Sequence, residues 1–218
     1  MLVAVAFALG SAAAKAQPFD TTLVSSTSGG DAGDGVSDQS SVSSDGHYIA
    51  FASIAPNLSD ANDDTYANVY VKDTANGQIT LISRADGVAG VAADGPAINP
   101  SISDDGRYVA FESEANNLSD ADNDAVNNIF VRDRVSGTTQ LVSRATGALG
   151  ASAEAGSYQP SISASGQYVA FESDANNFSI ADNDSVRNVF VRHLSSGTLT
   201  LVSRANGPSG AGATKSSN

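Results

Sequence analysis

A sixty-residue repeat constrains this chain more than any other feature. Residues 41–51 read SVSSDGHYIAF, residues 101–111 SISDDGRYVAF and residues 161–171 SISASGQYVAF, so Phe51, Phe111 and Phe171 follow one another at intervals of 60 residues. The windows 101–150 and 161–210 agree at 33 of 50 positions without a gap. A period this long belongs to units that cannot bury their apolar faces alone and stack on copies of themselves, as in arrays and propellers.

Each repeat carries four short β-type runs, clearest in the second copy at 97–103, 107–113, 128–133 and 138–144. They are rich in Val, Ile, Phe, Tyr and Thr and are separated by turn residues. Asp45-Gly46, Asp105-Gly106 and Ser165-Gly166 supply tight turns between the first and second runs, and Gly77, Gly137 and Gly197 close the turn after the third. No window has a 3.6-residue apolar period, so helices should be rare. In the second run Val109 and Phe111 face one way and Tyr108 and Ala110 the other. Both faces are apolar, which predicts a sheet covered on both sides. Stacked four-stranded blades give that cover, whereas a sandwich would show a polar outer face.

The pattern P-S-I-S-x-x-G-x-Y-V-A-F, followed by F-V-R and L-V-S-R, spans 100–111 with 130–132 and 141–144, and again 160–171 with 190–192 and 201–204. The first repeat departs from it with Tyr70 for Phe and Lys72 for Arg. It resembles the WD40-like (PD40) repeat of TolB-type β-propellers. The resemblance implies an all-β fold of four-stranded antiparallel blades with the first strand nearest the axis, and it implies no catalytic residues. Residues 21–25, TTLVS, match the fourth run without runs one to three before them, and the chain stops three residues short of a next Ser-Ile-Ser. The expected organisation is a signal peptide at 1–16, an orphan outer strand and linker at 17–40, and blades at 41–90, 91–150 and 151–210. The start of an unfinished linker follows at 211–218. Three complete blades are too few to close a ring, so the chain reads as a fragment of a closed propeller or as one that self-associates to complete it.

The leader 2–14, LVAVAFALGSAAA, is too short to span a bilayer. It precedes Ala14-Lys15-Ala16, which has the small-x-small form of a signal peptidase site, with Gln17 as the new N-terminus. Export to the periplasm, cell surface or medium is expected, with no membrane insertion after cleavage. A formal charge of −13, from 24 acids against 11 bases, argues against nucleic acid and anionic lipid as partners and is compatible with cations. The absence of cysteine excludes thiolate metal sites, disulfides and cysteine nucleophiles.

The connection between the second and third runs is long and acidic. In the second repeat it places Asp120, Asp122, Asp124 and Asn128 at positions 1, 3, 5 and 9, with a carbonyl at 7. Alternating oxygen ligands of this kind wrap calcium, a hard cation taking about 6–8 oxygens. The first repeat offers Asp60, Asn62, Asp64 and Asn68; the third offers Asp182, Asp184 and Asn188, with Ile180 in place of the first acid. The spacing resembles the calcium loops of integrin-type propellers, although position 6 is Thr65, Ala125 or Ser185 rather than Gly. Asp and Asn also favour turns for their own sake.

Topology puts these loops and the blade-to-blade linkers, with Asp86, Asp94 and Glu154, at one end of the blades. That end is the expected face for a protein or small ligand. Arg84, Arg144 and Arg204 recur after the fourth run, where ion pairs with Asp133 or neighbouring acids are the expected use and an anionic ligand is the alternative. Glu112 and Glu172 recur on the second run, but Ala52 stands there in the first repeat, so no acid pair is assigned. His47 and His193 have no nucleophile beside them in the pattern, and no G-x-S-x-G elbow is present. The sequence therefore points to a secreted, non-enzymatic, calcium-stabilised binding or scaffolding propeller. The alternatives are the accessory propeller of a larger secreted enzyme and a self-assembling surface filament subunit.

Overall fold

The computed structural model describes residues 21–60, 66–87, 90–122, 126–147, 150–179 and 186–204. They form twelve strands in three antiparallel sheets of four, and in every sheet neighbours in sequence are neighbours in space. Blade 1 is β1 (Ser37–Val42), β2 (Tyr48–Ser53), β3 (Asn68–Asp73) and β4 (Ile79–Leu81). Blade 2 is β5 (Ala97–Ile102), β6 (Tyr108–Ser113), β7 (Asn128–Asp133) and β8 (Thr138–Leu141). Blade 3 is β9 (Ser157–Ile162), β10 (Tyr168–Ser173), β11 (Asn188–His193) and β12 (Thr198–Leu201). The helical content among the described residues is two 3-10 turns, Pro56–Leu58 and Asn176–Phe178, neither long enough to cross a membrane. The leader and the segment 211–218 lie outside the described residues.

Both faces of the middle blade are covered, as the double-sided apolar pattern requires. Val109 and Phe111 join Phe130 and Leu141 in a core with Ala50, Val69 and Val71 of blade 1. On the other side Ala110, Ile129 and Val131 pack with Val169, Phe171 and Phe190 of blade 3. Phe51, Phe111 and Phe171 are all buried, and each stacks on its cross-strand partner Tyr70, Phe130 or Phe190 with ring centroids 5.8–6.0 Å apart. Burying one such ring contributes about 1.5–3 kcal/mol.

The hairpin glycines serve two purposes. Gly46, Gly106 and Gly166 adopt φ of +73°, +69° and +69°, the left-handed region. In addition, a Cβ on Gly106 would run into the Tyr48 ring of blade 1, and one on Gly166 into the Tyr108 ring of blade 2, so each turn lies against the aromatic ring of the blade before it.

A buried cation on the third strand joins each blade to the segment before it. Arg132 donates through Nη1 to the carbonyls of Arg84 and Ala85 and through Nη2 to Gly87. Arg192 does the same to Arg144, Ala145 and Gly147. In blade 1 Lys72 takes this place, with Nζ 2.9 Å from the carbonyls of Ser26 and Thr27. Residues 25–27 thus stand where the end of a preceding blade would stand. Residues 21–25, expected as an orphan outer strand, carry no strand among the described residues; the bridge there is Ser26 to Ala32. The fourth run also stops earlier than expected, at Leu141: the N–H groups of Val142 and Ser143 both turn back to the Ile129 carbonyl, leaving Arg144 a single bridge to Ser152.

Candidate functional site

The first strand of every blade carries a bulge at the end near the long loops. Asp38 pairs with Ala52 and Ser41 with Ala50, so Gln39 and Ser40 oppose a single residue, and the same shift recurs in β5 and β9. Gln39, Asn99 and Gln159 there have φ of 51°, 52° and 52°, the described non-glycine residues in the left-handed region. Pro100 and Pro160 follow, at a bulge position where a missing N–H does no harm. The three bulges line one shared groove, which brings the inner strands together at a common axis. The N–H of Asn99 donates to Gln39 Oε1 of the preceding blade at 2.9 Å.

Beside this groove the blades stop being copies of one another. In blade 2 Glu112 is 2% exposed and accepts from Asn99 Nδ2 (2.7 Å), Asn127 Nδ2 (2.9 Å) and the Gln159 N–H of blade 3. Three donors on one carboxylate compensate its burial. In blade 3 Arg187 makes a two-pronged pair with Asp174, both contacts at 2.9 Å, approaches Glu172 at 3.8 Å, and lies 4.2 Å from the centre of the Tyr158 ring. The Arg187 hydrogen bonds hold the Asp174 carboxyl below its usual range. Blade 1 has Asp38, Ala52 and Ala67 at the places of Tyr158, Glu172 and Arg187. Sequence reasoning set Glu112 aside because Ala52 broke its recurrence. The overlooked signal was a glutamate inside the otherwise apolar run YVAFES.

The long loops are braced by asparagine. Ser143 Oγ donates to Asn128 Oδ1 at 2.6 Å and accepts the Ile129 N–H at 3.0 Å. Ser83 and Asn68 repeat this in blade 1, Ser203 and Asn188 in blade 3. Each amide nitrogen then donates to the carbonyl at position 7, that of Tyr66, Val126 or Val186. The three asparagines expected as oxygen ligands therefore hold N–H groups out to the loop. Asp122 is 4% exposed, with Oδ1 accepting from Asn128 Nδ2 at 3.2 Å; Asp60 and Asp120 are exposed. Asn62, Asp64, Asp124, Ile180, Asp182 and Asp184 lie outside the described residues. Among the described residues no three His, Cys, Asp or Glu side chains gather as a metal-binding group.

The linker acids have local partners. Asp94 and Glu154 cap the start of the long loops at the N–H groups of Asn116 and Asn176, whereas Asp86 accepts from Thr139 N–H on the outer strand of the next blade. Asp133 is taken by Arg107 at 2.7 Å, so the ion pair expected for the recurring arginines is not formed with it. Arg84 and Arg144 instead donate to the carbonyls of Gly90 and Gly150. His47 lies 3.3 Å from Asp45, and His193 stacks on Tyr168 and bonds Ser196 in the hairpin after β11.

No family model matches the chain, and no curated protein matches it in sequence. Among solved structures it is similar to a protein described as TolB from Agrobacterium tumefaciens, with 19% identity and a TM-score of 0.48, over 76% of this chain and 48% of that one. TolB from Acinetobacter baumannii gives 14% identity and a TM-score of 0.48, over 77% of this chain and 32% of that one. The β-propeller domain of the Trilobed protease from Pyrococcus furiosus gives 12% identity and a TM-score of 0.47, over 76% of this chain and 41% of that one. The chain spans about half or less of the length of each of these structures.

Proposed function

We propose that this chain is a non-enzymatic, exported propeller module that binds a protein or small ligand at the long-loop end of its axis. One observation carries the reading: the blades share their cores, clamps and asparagine braces, yet differ in chemistry around the axial groove. Positions in equivalent surroundings are filled alike when they serve the fold. Beside the groove the series Asp38, Ile98, Tyr158 and the series Ala67, Asn127, Arg187 differ from blade to blade. Screening peptide and glycan arrays with the exported protein tests this. Binding lost in the double variant Tyr158→Ala, Arg187→Ala and kept in Arg107→Ala supports it; ligands that ignore the groove variants overturn it. Mass spectrometry of the exported protein should find Gln17 at the N-terminus.

Calcium belongs to the same reading, with an amended ligand set. Asp122, 4% exposed in the second loop, suits a hard cation, whereas Asn68, Asn128 and Asn188 each already give one lone pair of the amide oxygen to a serine and are the weaker candidates. The ion would be held by Asp60, Asn62 and Asp64 in the first loop and by Asp120, Asp122 and Asp124 in the second. Asp182 and Asp184 make a weaker third site. Calcium added to chelator-treated protein should stabilise it by about 2.7 kcal/mol at a hundredfold excess over Kd. Asp122→Ala should remove much of that response, and the absence of any response at millimolar calcium overturns the assignment.

A further inference from the structure

Between blades 1 and 2, beside the turn from β7 to β8, lies a cavity of about 140 Å³ whose charged wall consists of Arg84, Arg132 and Arg134. Thr80 and Gly137 complete its polar rim, and no carboxylate lines it. Arg134 places its guanidinium 4.4 Å from the centre of the Tyr48 ring and donates Nη1 to the Gly106 carbonyl at 2.6 Å, while its Nε is buried with no partner. Arg84 gives Nε to the Gly90 carbonyl, and Arg132, 4% exposed, is held by backbone carbonyls and Thr139.

The acids in the neighbourhood are engaged elsewhere. Asp86 accepts from the Thr139 N–H, Asp133 pairs with Arg107, and Asp73 accepts from Ala75 and Asn76. Burial, and then the nearness of Arg84, lowers the proton affinity of the Arg132 guanidinium; burial does the same to Arg134. Three guanidinium groups thus share a half-buried space with no carboxylate in its lining, although Asp86 and Asp133 still attract Arg132, and Asp73 attracts Arg134, from outside it. Their planar pairs of N–H donors match the oxygens of a phosphate or sulfate.

We propose that this gap binds one small tetrahedral oxyanion, of which phosphate is the simplest probe. The next gap offers an internal comparison: Arg144 and Arg192 recur there, but Leu194 stands at the place of Arg134. At the front of blade 1 the three places hold Ser26, Lys72 and Thr74. Among the described residues the three arginines therefore come together at one gap.

Calcium-free protein titrated with inorganic phosphate, with ionic strength held constant by chloride, tests the assignment by calorimetry and thermal melting. Saturable binding of one phosphate per chain and a rising melting temperature are expected, with acetate at least tenfold weaker. Arg134→Leu copies the residue blade 3 already accommodates and should weaken binding at least tenfold, while Arg144→Ser, in the incomplete gap, leaves it unchanged. Arg84→Ser, which copies Ser26, gives the same reading should Arg134→Leu fold poorly. No saturable binding at tens of millimolar phosphate, or binding indifferent to both substitutions, overturns the site. Acetate bound as tightly as phosphate overturns the tetrahedral assignment.

Discussion

The hydroxyl of Ser143 lies 2.6 Å from Asn128 Oδ1 and also receives the Ile129 N–H, so one buried side chain ties the root of the long loop to the end of the outer strand. Both residues are fully buried. Ser143→Ala leaves an acceptor and a donor without partners and should cost about 1–3 kcal/mol in urea unfolding. Asn128→Asp separates a brace from a ligand. As a brace it loses its N–H donors and gains a carboxylate beside Asp122, so it should destabilise the protein; tighter calcium binding with unchanged stability would count for the ligand.

The inter-blade cation should tolerate a change of head group better than its removal. Arg132→Met leaves three carbonyls without their donor, and hydrogen bonds to charged groups are worth about 1.5–3 kcal/mol. Arg132→Lys should cost less, since Lys72 does the same work in blade 1. A loss below about 0.5 kcal/mol for Arg132→Met, within the range of ordinary surface substitutions, would show that the clamp contributes little.

The hairpin glycines allow a clean comparison. Gly46 has open space around the position of a Cβ, so Gly46→Ala should cost only the left-handed backbone penalty, about 1–2 kcal/mol. Gly106→Ala must in addition displace the Tyr48 ring and should cost more. Combining it with Tyr48→Ala should recover part of the excess, and a strictly additive double-mutant cycle would argue against the contact.

Acid sensitivity should trace in part to Asp133. The Arg107 hydrogen bonds hold its carboxyl well below the usual carboxylate range, so folding is favoured by its ionised form. The folded-state pKa is depressed, so this stabilisation is complete above about pH 4 to 5 and is lost as pH falls through the folded value. Arg107→Gln should therefore lower stability near pH 7 and flatten its fall below pH 4. Parallel acid-unfolding curves for the two proteins would exclude the pair as a contributor. Arg107 is 41% exposed on its side chain, so added salt should shrink the difference.

Much of the fold could be read from residues whose local and global demands agree. The glycine after Asp45 and Asp105 needs a left-handed backbone, and Phe111 needs cover on a face where Val109 also points, so spacing alone located the blades. The site was harder for identifiable reasons. Asn128 fits a ligand pattern by position, but spacing cannot tell whether its oxygen or its nitrogen faces the loop; Ser143, fifteen residues on, decides that. Arg84 and Asp133 carry opposite charges, yet Arg107 on the adjacent strand is nearer in register, Tyr108 lying opposite Asp133. Glu112 draws one of its three donors, the Gln159 N–H, from the inner strand of the next blade, a contact visible only once the blades are stacked.

Each clamping cation reaches back by one blade only, and the two large core clusters join blade 1 to blade 2 and blade 2 to blade 3. Cooperativity in such a molecule runs along a line, like the links of a chain, rather than radiating from one centre. The middle blade, gripped on both sides, should be the last to melt. Amide exchange should then be slowest along β6 and β7, so that one melting temperature describes the ensemble poorly.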